Sequence, residues 1–376
     1  MEHYLDNAAT TKPCAEAAAA VMSCISAHYG NPSSLHRKGL EAQHEVEYAR
    51  NQIAGALGCK AQEIVFTSGA TESSNLAIRG AVAAYGRKRK KIVASAVEHA
   101  SVKATLSYLE TLGFTVVTVP PAADGEYHVE DFLREIDSSV CLVSMMLVNN
   151  ENGCRLPVEN VFRMVKRNDP EIITHCDAVQ GFLKIPFKPR TLCADLVSVS
   201  GHKVHALKGV GALYIRHGVR VKPILCGSEQ ERGLRPGTES VPLIASFGAA
   251  TEKLSLNIEE RLERVSQLRS SLIAKLREMD GVIIRDIEGA SPYVLNISLL
   301  GYRSEIVLHY LEQREVYVSS GSACSKGASS GVLELFGAKP AEVDSALRIS
   351  FCAENTEEDI AALVQGLRDA QKELMH

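Results

Sequence analysis

Short apolar runs recur through the first 200 residues, at 64–66, 92–96, 115–119, 140–148 and 196–199, with enough chain between successive runs for one helix. Runs that are apolar at nearly every position suit strands buried on both faces, and parallel strands need long crossover connections. The alternation predicts an α/β fold with a mostly parallel sheet covered by helices on both sides. Helices are expected over about 14–28 and 39–57. Further on the pattern changes: Leu262, Val265, Leu268, Leu272 and Leu276 recur at helical spacing over a charged background. One long helix over 254–279 is expected to carry the chain out of a large domain, 1–255, into a smaller α+β domain, 256–376. Apolar runs at 282–284, 294–297 and 316–318 and helices over 304–313 and 356–374 supply that second domain.

Composition sets limits on partners. At 376 residues with 45% hydrophobic residues and a net charge of −4, the chain can bury two cores and gives no electrostatic reason to expect nucleic acid or a membrane as its main partner. No apolar run reaches the length of a membrane span, and residues 1–6 lack a basic stretch followed by an apolar one, so the cytoplasm is the expected location. The ten cysteines are scattered without a C-x-x-C pair, which suits buried thiols and argues against a disulfide framework or a metal site. The basic run Arg87 to Lys91 reads as a solvated helix end.

The chemistry concentrates where strands end. After the run 196–199 come Ser200, His202 and Lys203, at the edge where open α/β sheets bind ligands. Asp177 and Gln180 follow another apolar run, His99 follows 92–96, and Gly69, Ala70 and Thr71 follow 64–66 and open a helix. Helix-start N–H groups with the Thr71 hydroxyl make an anion site, and glycine allows close approach of the backbone. Asp177 is an acid for a ring nitrogen, His99 can cover a planar group and relay protons, and Lys203 is an amine for a Schiff base. Together these are the needs of pyridoxal phosphate. A solvated lysine, a satisfied core histidine and an ordinary strand-to-helix turn are the plainer readings of each part taken alone. The glycine-rich stretch 227–239 reads as a surface loop, or as a source of phosphate donors in Arg235 and Thr238. The loop 29–36 reads as a helix connection, or as a segment over the site with Asn31 placing substrate.

Cys324 stands in a serine- and glycine-rich loop, 318–331, unlike a core thiol. A free thiol has a pKa of about 8.5, which nearby cations such as Lys326 lower. Residue types alone leave both a reactive nucleophile and an inert loop cysteine open.

These motifs, with Tyr4 to Thr11, Gly30 to Ser34, Thr67 to Glu72, Val148 to Glu151, Arg235 to Glu239, Ser319 to Cys324 and Leu347 to Phe351, resemble those of the pyridoxal phosphate-dependent cysteine desulfurases of the NifS/IscS type, in the class-V aminotransferase group. The resemblance implies a fold-type-I homodimer. Its large domain would hold a seven-stranded sheet, and the first residues, to about Lys12, would associate with the small domain. It assigns Lys203 to the Schiff base, His99 to the ring face, Asp177 to the ring nitrogen and Gln180 to the ring hydroxyl. Asn150 would also contact the cofactor, while Ala70, Thr71, Ser200 and His202, with Thr238 of the partner subunit, would hold the phosphate. Arg348, assisted by Asn31, would bind the carboxylate of L-cysteine. Cys324 would take the sulfur as a persulfide and pass it to an acceptor protein in iron–sulfur cluster assembly, tRNA thiolation or cofactor synthesis, leaving L-alanine.

Leu156, Ala206, Leu207, Cys226 and Cys352 depart from the pattern of that family, which bears on loop geometry and acceptor choice. A selenocysteine lyase or another class-V enzyme, and a non-catalytic scaffold in sulfur assembly, are the alternatives. The thiol at Cys324 argues against transamination, and retention of Lys203, Asp177, His99 and Arg348 argues against a scaffold.

Overall fold

The run Leu196–Ser200 is buried at every position, and six further strands lie beside it. The structure, a computed structural model, describes residues 2–320 and 331–374, so Cys324 lies outside the described residues. In chain order the strands are β1 (His3–Tyr4), β2 (Ile64–Thr67), β3 (Lys91–Ser95), β4 (Thr115–Val119), β5 (Val140–Met146), β6 (Ile173–Asp177), β7 (Leu196–Ser200), β8 (Gly211–Ile215), β9 (Val282–Arg285), β10 (Val294–Leu299), β11 (Val316–Tyr317), β12 (Ser319–Ser320) and β13 (Ala346–Ser350).

The large sheet has the order β2-β8-β7-β6-β5-β3-β4 and is parallel except at β8, which runs antiparallel to both neighbours. Sequence reading did not single out β8. Its direction follows from the short β7–β8 connection, which has no room for the helix that a parallel return requires. Alternation sorts the side chains by face. Phe66, Val93, Val143, Val197 and Val199 pack with helices Ala15–Ser26, Arg37–Leu57 and Val241–Ser255. Val65, Ile92, Leu142, Ile173 and Leu196 pack with Ala70–Tyr85 and Ala100–Thr111. Each such side chain fully buried contributes about 1.5–3 kcal/mol.

The second sheet, β12-β13-β10-β9, is antiparallel and packs on helices Ile258–Leu276 and Glu357–Glu373. β1 pairs in parallel with β11, and Asp6 bridges to Ser350, so the first residues of the chain lie against its last third. The single long helix expected over 254–279 is two: one ends at Ser255, the next begins at Ile258, and Asn257 between them is non-helical (φ −137°, ψ 49°). Helical spacing of apolar residues continues across this break, so periodicity alone does not reveal it. Arg87, Lys88 and Lys90 of the basic run are exposed, as expected of a solvated helix end, while Arg89 pairs with Asp169 and Glu171, and Lys91 with Glu135 and Asp137. Among the described residues no helix is long and apolar enough to cross a membrane.

Candidate active site

The carboxyl ends of β2, β3, β5, β6 and β7 all open on one side of the sheet, and a cleft of about 780 Å³ lies there. It is lined by Ala70, Thr71, His99, Asn150, Asp177, Gln180, Ser200, His202, Lys203 and Arg348. Residues drawn from five strand ends and from the second sheet therefore meet in one cavity.

The anion end is built on helix Ala70–Tyr85. Gly69 precedes it with φ 155°, and no side chain caps the first turn, so the opening N–H groups stay available to a ligand. A Cβ on Gly211 would fall 2.7 Å from the Gly69 backbone, so the neighbouring strand needs glycine for this loop to lie where it does. Ser200 is 1% exposed, and its Oγ is buried with no hydrogen-bond partner. Leaving such a hydroxyl unpaired costs about 1–3 kcal/mol unless something binds it. His202 Nδ1 lies 3.2 Å from Thr10 Oγ1, and burial together with Lys203, Lys208 and Lys184 pushes this imidazole down to about 4. It is therefore neutral at physiological pH.

The opposite end holds Asp177 and His99. Burial raises the Asp177 pKa, while His99, the Val179 N–H and Lys203 pull it back. His99 caps helix Ala100–Thr111, with Nδ1 accepting from Ser101 N at 3.1 Å; the proton of the neutral ring then sits on Nε2. Burial lowers its pKa, and Asp177 opposes that shift. Behind both lies Glu98, wholly buried and raised to about 8 by desolvation. Its Oε1 accepts from Ser95 Oγ and Met146 N, each at 2.5 Å.

Lys203 Nζ donates to the carbonyls of Ala8 and Ala9, both at 2.6 Å. Thr11 secures the loop that carries it, accepting through Oγ1 from His205 N at 2.7 Å and donating to the His202 carbonyl. The N-terminal segment is thus a wall of the cleft, with Asp6, Ala8, Ala9 and Thr10 on its surface. Sequence reading placed these residues against the small domain and gave them no part in the site, although their polar, turn-like run ahead of the first helix was a usable signal.

Two expected residues lie elsewhere. Asn31 is exposed in the loop between the first two helices and accepts from Ser33 N through its own Oδ1. Thr238 is exposed and does not line the cleft of its own chain. Arg235, one of the two phosphate-donor candidates in 227–239, is held instead by Glu72, Nε to Oε1 at 2.9 Å. That ion pair uses its fork against the first turn of the helix, where an acidic residue is favoured. Of the departures, Leu207 donates its N–H to Ser246 Oγ at 3.4 Å, and Leu156 is core. Cys226 is exposed, and burial raises Cys352 to about 11.

The class-V aminotransferase profile matches residues 3–363. The chain belongs to the class-V aminotransferase family. Within that family it is 38% identical over 368 residues to a cysteine desulfurase of Trichormus azollae, covering 96% of this chain and 91% of the relative. It is 38% identical over 329 residues to the cysteine desulfurase IscS of Dictyoglomus turgidum, covering 87% and 83%. Among solved structures, a NifS-like protein superposes with a TM-score of 0.94 at 35% identity over the whole of both chains. As a class-V aminotransferase, the chain has the expected seven-stranded, mostly parallel sheet and a separate antiparallel sheet toward its C-terminus.

The residues present fit pyridoxal phosphate. The unpaired Ser200 hydroxyl and the uncapped helix start suit a phosphate, and the buried Asp177 suits a protonated ring nitrogen.

Proposed function

We propose that this protein is a pyridoxal phosphate-dependent cysteine desulfurase. The observation that carries the reading is the convergence of Lys203, Asp177 and His99 in one cleft whose helix-start end holds an unpartnered buried hydroxyl, Ser200. Ala70, Thr71, Ser200 and His202 would hold the phosphate, Asp177 the ring nitrogen, and Asn150 and Gln180 the ring edge. The bound cofactor supplies an electron sink that stabilises negative charge on the substrate and weakens its carbon–sulfur bond.

The remaining work falls to the chain's own groups. Arg348 binds the carboxylate of L-cysteine; its buried Nε has no protein partner and is available for that purpose. Lys203 and His99, the latter at Nε2, hold and move the protons. Cys324 thiolate takes the sulfur atom, so that L-cysteine and the protein thiol become L-alanine and a protein persulfide, with no external oxidant or reductant. The persulfide is then passed to an acceptor protein, as in iron–sulfur assembly, tRNA thiolation or cofactor synthesis.

In this reading residues 1–255 hold the cofactor and 256–376 present Cys324. A homodimer is supported by exposed apolar residues on the first two helices and the loop joining them, Met22, Ile25, Tyr29, Leu35 and Tyr48. It would let Thr238 of the partner subunit complete the phosphate site. Nine described cysteines, all unpaired, suit the reducing cytoplasm.

The test is alanine and sulfide release from L-cysteine with pyridoxal phosphate and a reductant, comparing wild type with Cys324→Ala. A cofactor-loaded variant that has lost most desulfuration supports the reading. Equal turnover by both proteins overturns the role of Cys324 and favours a lyase or aminotransferase.

A further inference from the structure

Six residues after Asp177, Leu183 sits at φ 57°, in the left-handed region, a conformation that costs energy for a bulky side chain, and Lys184 follows it. This turn, closed by Phe182 N to Ala178 O and Ile185 N to Gly181 O, brings the next side chain back onto Gln180. Lys184 Nζ donates to Gln180 Oε1 at 2.9 Å. Lys184 is 6% exposed, and its hydrogen-bond acceptor is an amide rather than a carboxylate. Its other close partner is the ring of Tyr293, 5.7 Å away, contributed by the second domain. The charged or titratable groups that act on it are Lys203, Cys352 and Arg348, and burial is the largest influence, lowering it to about 7. A buried lysine among cations is a poor device for stability alone.

Its effect on Gln180 is definite. In its protonated form Lys184 has donors only and so selects the oxygen end of the amide, in agreement with the Ala8 carbonyl, which can only accept and selects the nitrogen end. Gln180 Nε2 then donates to Ala8 O at 2.9 Å, the same carbonyl that accepts from Lys203. One Nε2 hydrogen remains, on a residue that lines the cleft. We propose that Lys184 is a positioning residue that locks the Gln180 amide with its nitrogen toward the cofactor, so that Gln180 acts there as a donor and never as an acceptor. The inference rests on the pyridoxal phosphate reading. A donor at the ring hydroxyl stabilises its ionised oxygen, and loss of Lys184 would free the amide to turn over.

The test titrates apo protein with pyridoxal phosphate by absorbance and follows the pH midpoint of the visible band, for wild type, Lys184→Met, Gln180→Leu and the double variant. Expected are at least five-fold weaker binding and an upward shift of the midpoint in Lys184→Met, with the double variant no worse than Gln180→Leu. Independent, additive effects, or a Lys184→Met protein with wild-type affinity and midpoint, would overturn the proposal. If Lys184→Met does not fold, Gln180→Glu decides: its carboxylate keeps the bond from Lys184 but has no N–H to give. Wild-type affinity in that variant refutes the donor role, and several-fold loss upholds it. Failure of the wild-type protein to take up the cofactor would instead sink the underlying reading.

Discussion

Arg348 and Asp6, 342 positions apart in sequence, form an ion pair, Nη2 to Oδ1 at 2.9 Å, while Nη1 of the same arginine donates to the Asn150 carbonyl at 3.1 Å. One guanidinium on β13 thereby joins the N-terminal segment to the loop after β5. Burial raises the Asp6 pKa and Arg348 opposes the shift. Arg348→Lys keeps the charge and loses the planar fork. We expect KM for L-cysteine to rise about 10- to 100-fold, the equivalent of about 1.5–3 kcal/mol for charge-assisted hydrogen bonds, with a smaller change in kcat. Steady-state kinetics on the loaded enzyme would check this.

Ser200→Ala separates binding from folding. Because Ser200 Oγ has no protein partner, its removal should leave the apo protein as stable as wild type or slightly more so. Cofactor affinity should fall about 10-fold, in the range of one hydrogen bond to a charged group. Thermal unfolding of the apo protein and equilibrium titration with pyridoxal phosphate give the two readouts.

Glu98 makes stability depend on pH. Its folded pKa, about 8, stands above the ordinary 4.5, so between those values the folded state holds a proton that the unfolded state has released. Stability from this group therefore falls as pH rises through that window, by up to about 1.4 kcal/mol per pH unit. Glu98→Gln keeps an acceptor for Ser95 and Met146 and should flatten the denaturant-unfolding profile between pH 5 and 8, within the window set by those values.

Arg50 and Glu231 are almost wholly buried and paired through two hydrogen bonds of 2.9 and 2.7 Å, and Glu231 also accepts from Phe66 N. The pair fastens the loop 227–239 to edge strand β2. Glu231→Gln leaves the buried guanidinium with only the half-exposed Glu47 as its counter-charge, Nε to Oε1 at 3.1 Å, and should cost about 3 kcal/mol, measured by denaturant unfolding. A cost below about 1 kcal/mol would show that water reaches this pair.

Most strands, most helices and the polar groups that line the cleft were legible in the chain, because apolar runs and helical spacing are local and because those groups follow strand ends. Lys203, Asp177, His99 and Ser200 could be named from such runs. The antiparallel β8, the break at Asn257, the pairing of Arg235 with Glu72 and the contacts of the N-terminal segment with Lys203 and Arg348 could not. Each depends on which distant segments the topology brings together, as when Ala8 meets Lys203 or Asp6 meets Arg348. The sequence by itself determined the fold class and the chemistry on offer. Tertiary structure decided the electrostatics, because the charge states of Glu98, His202 and Lys184 come from burial and neighbours remote in sequence.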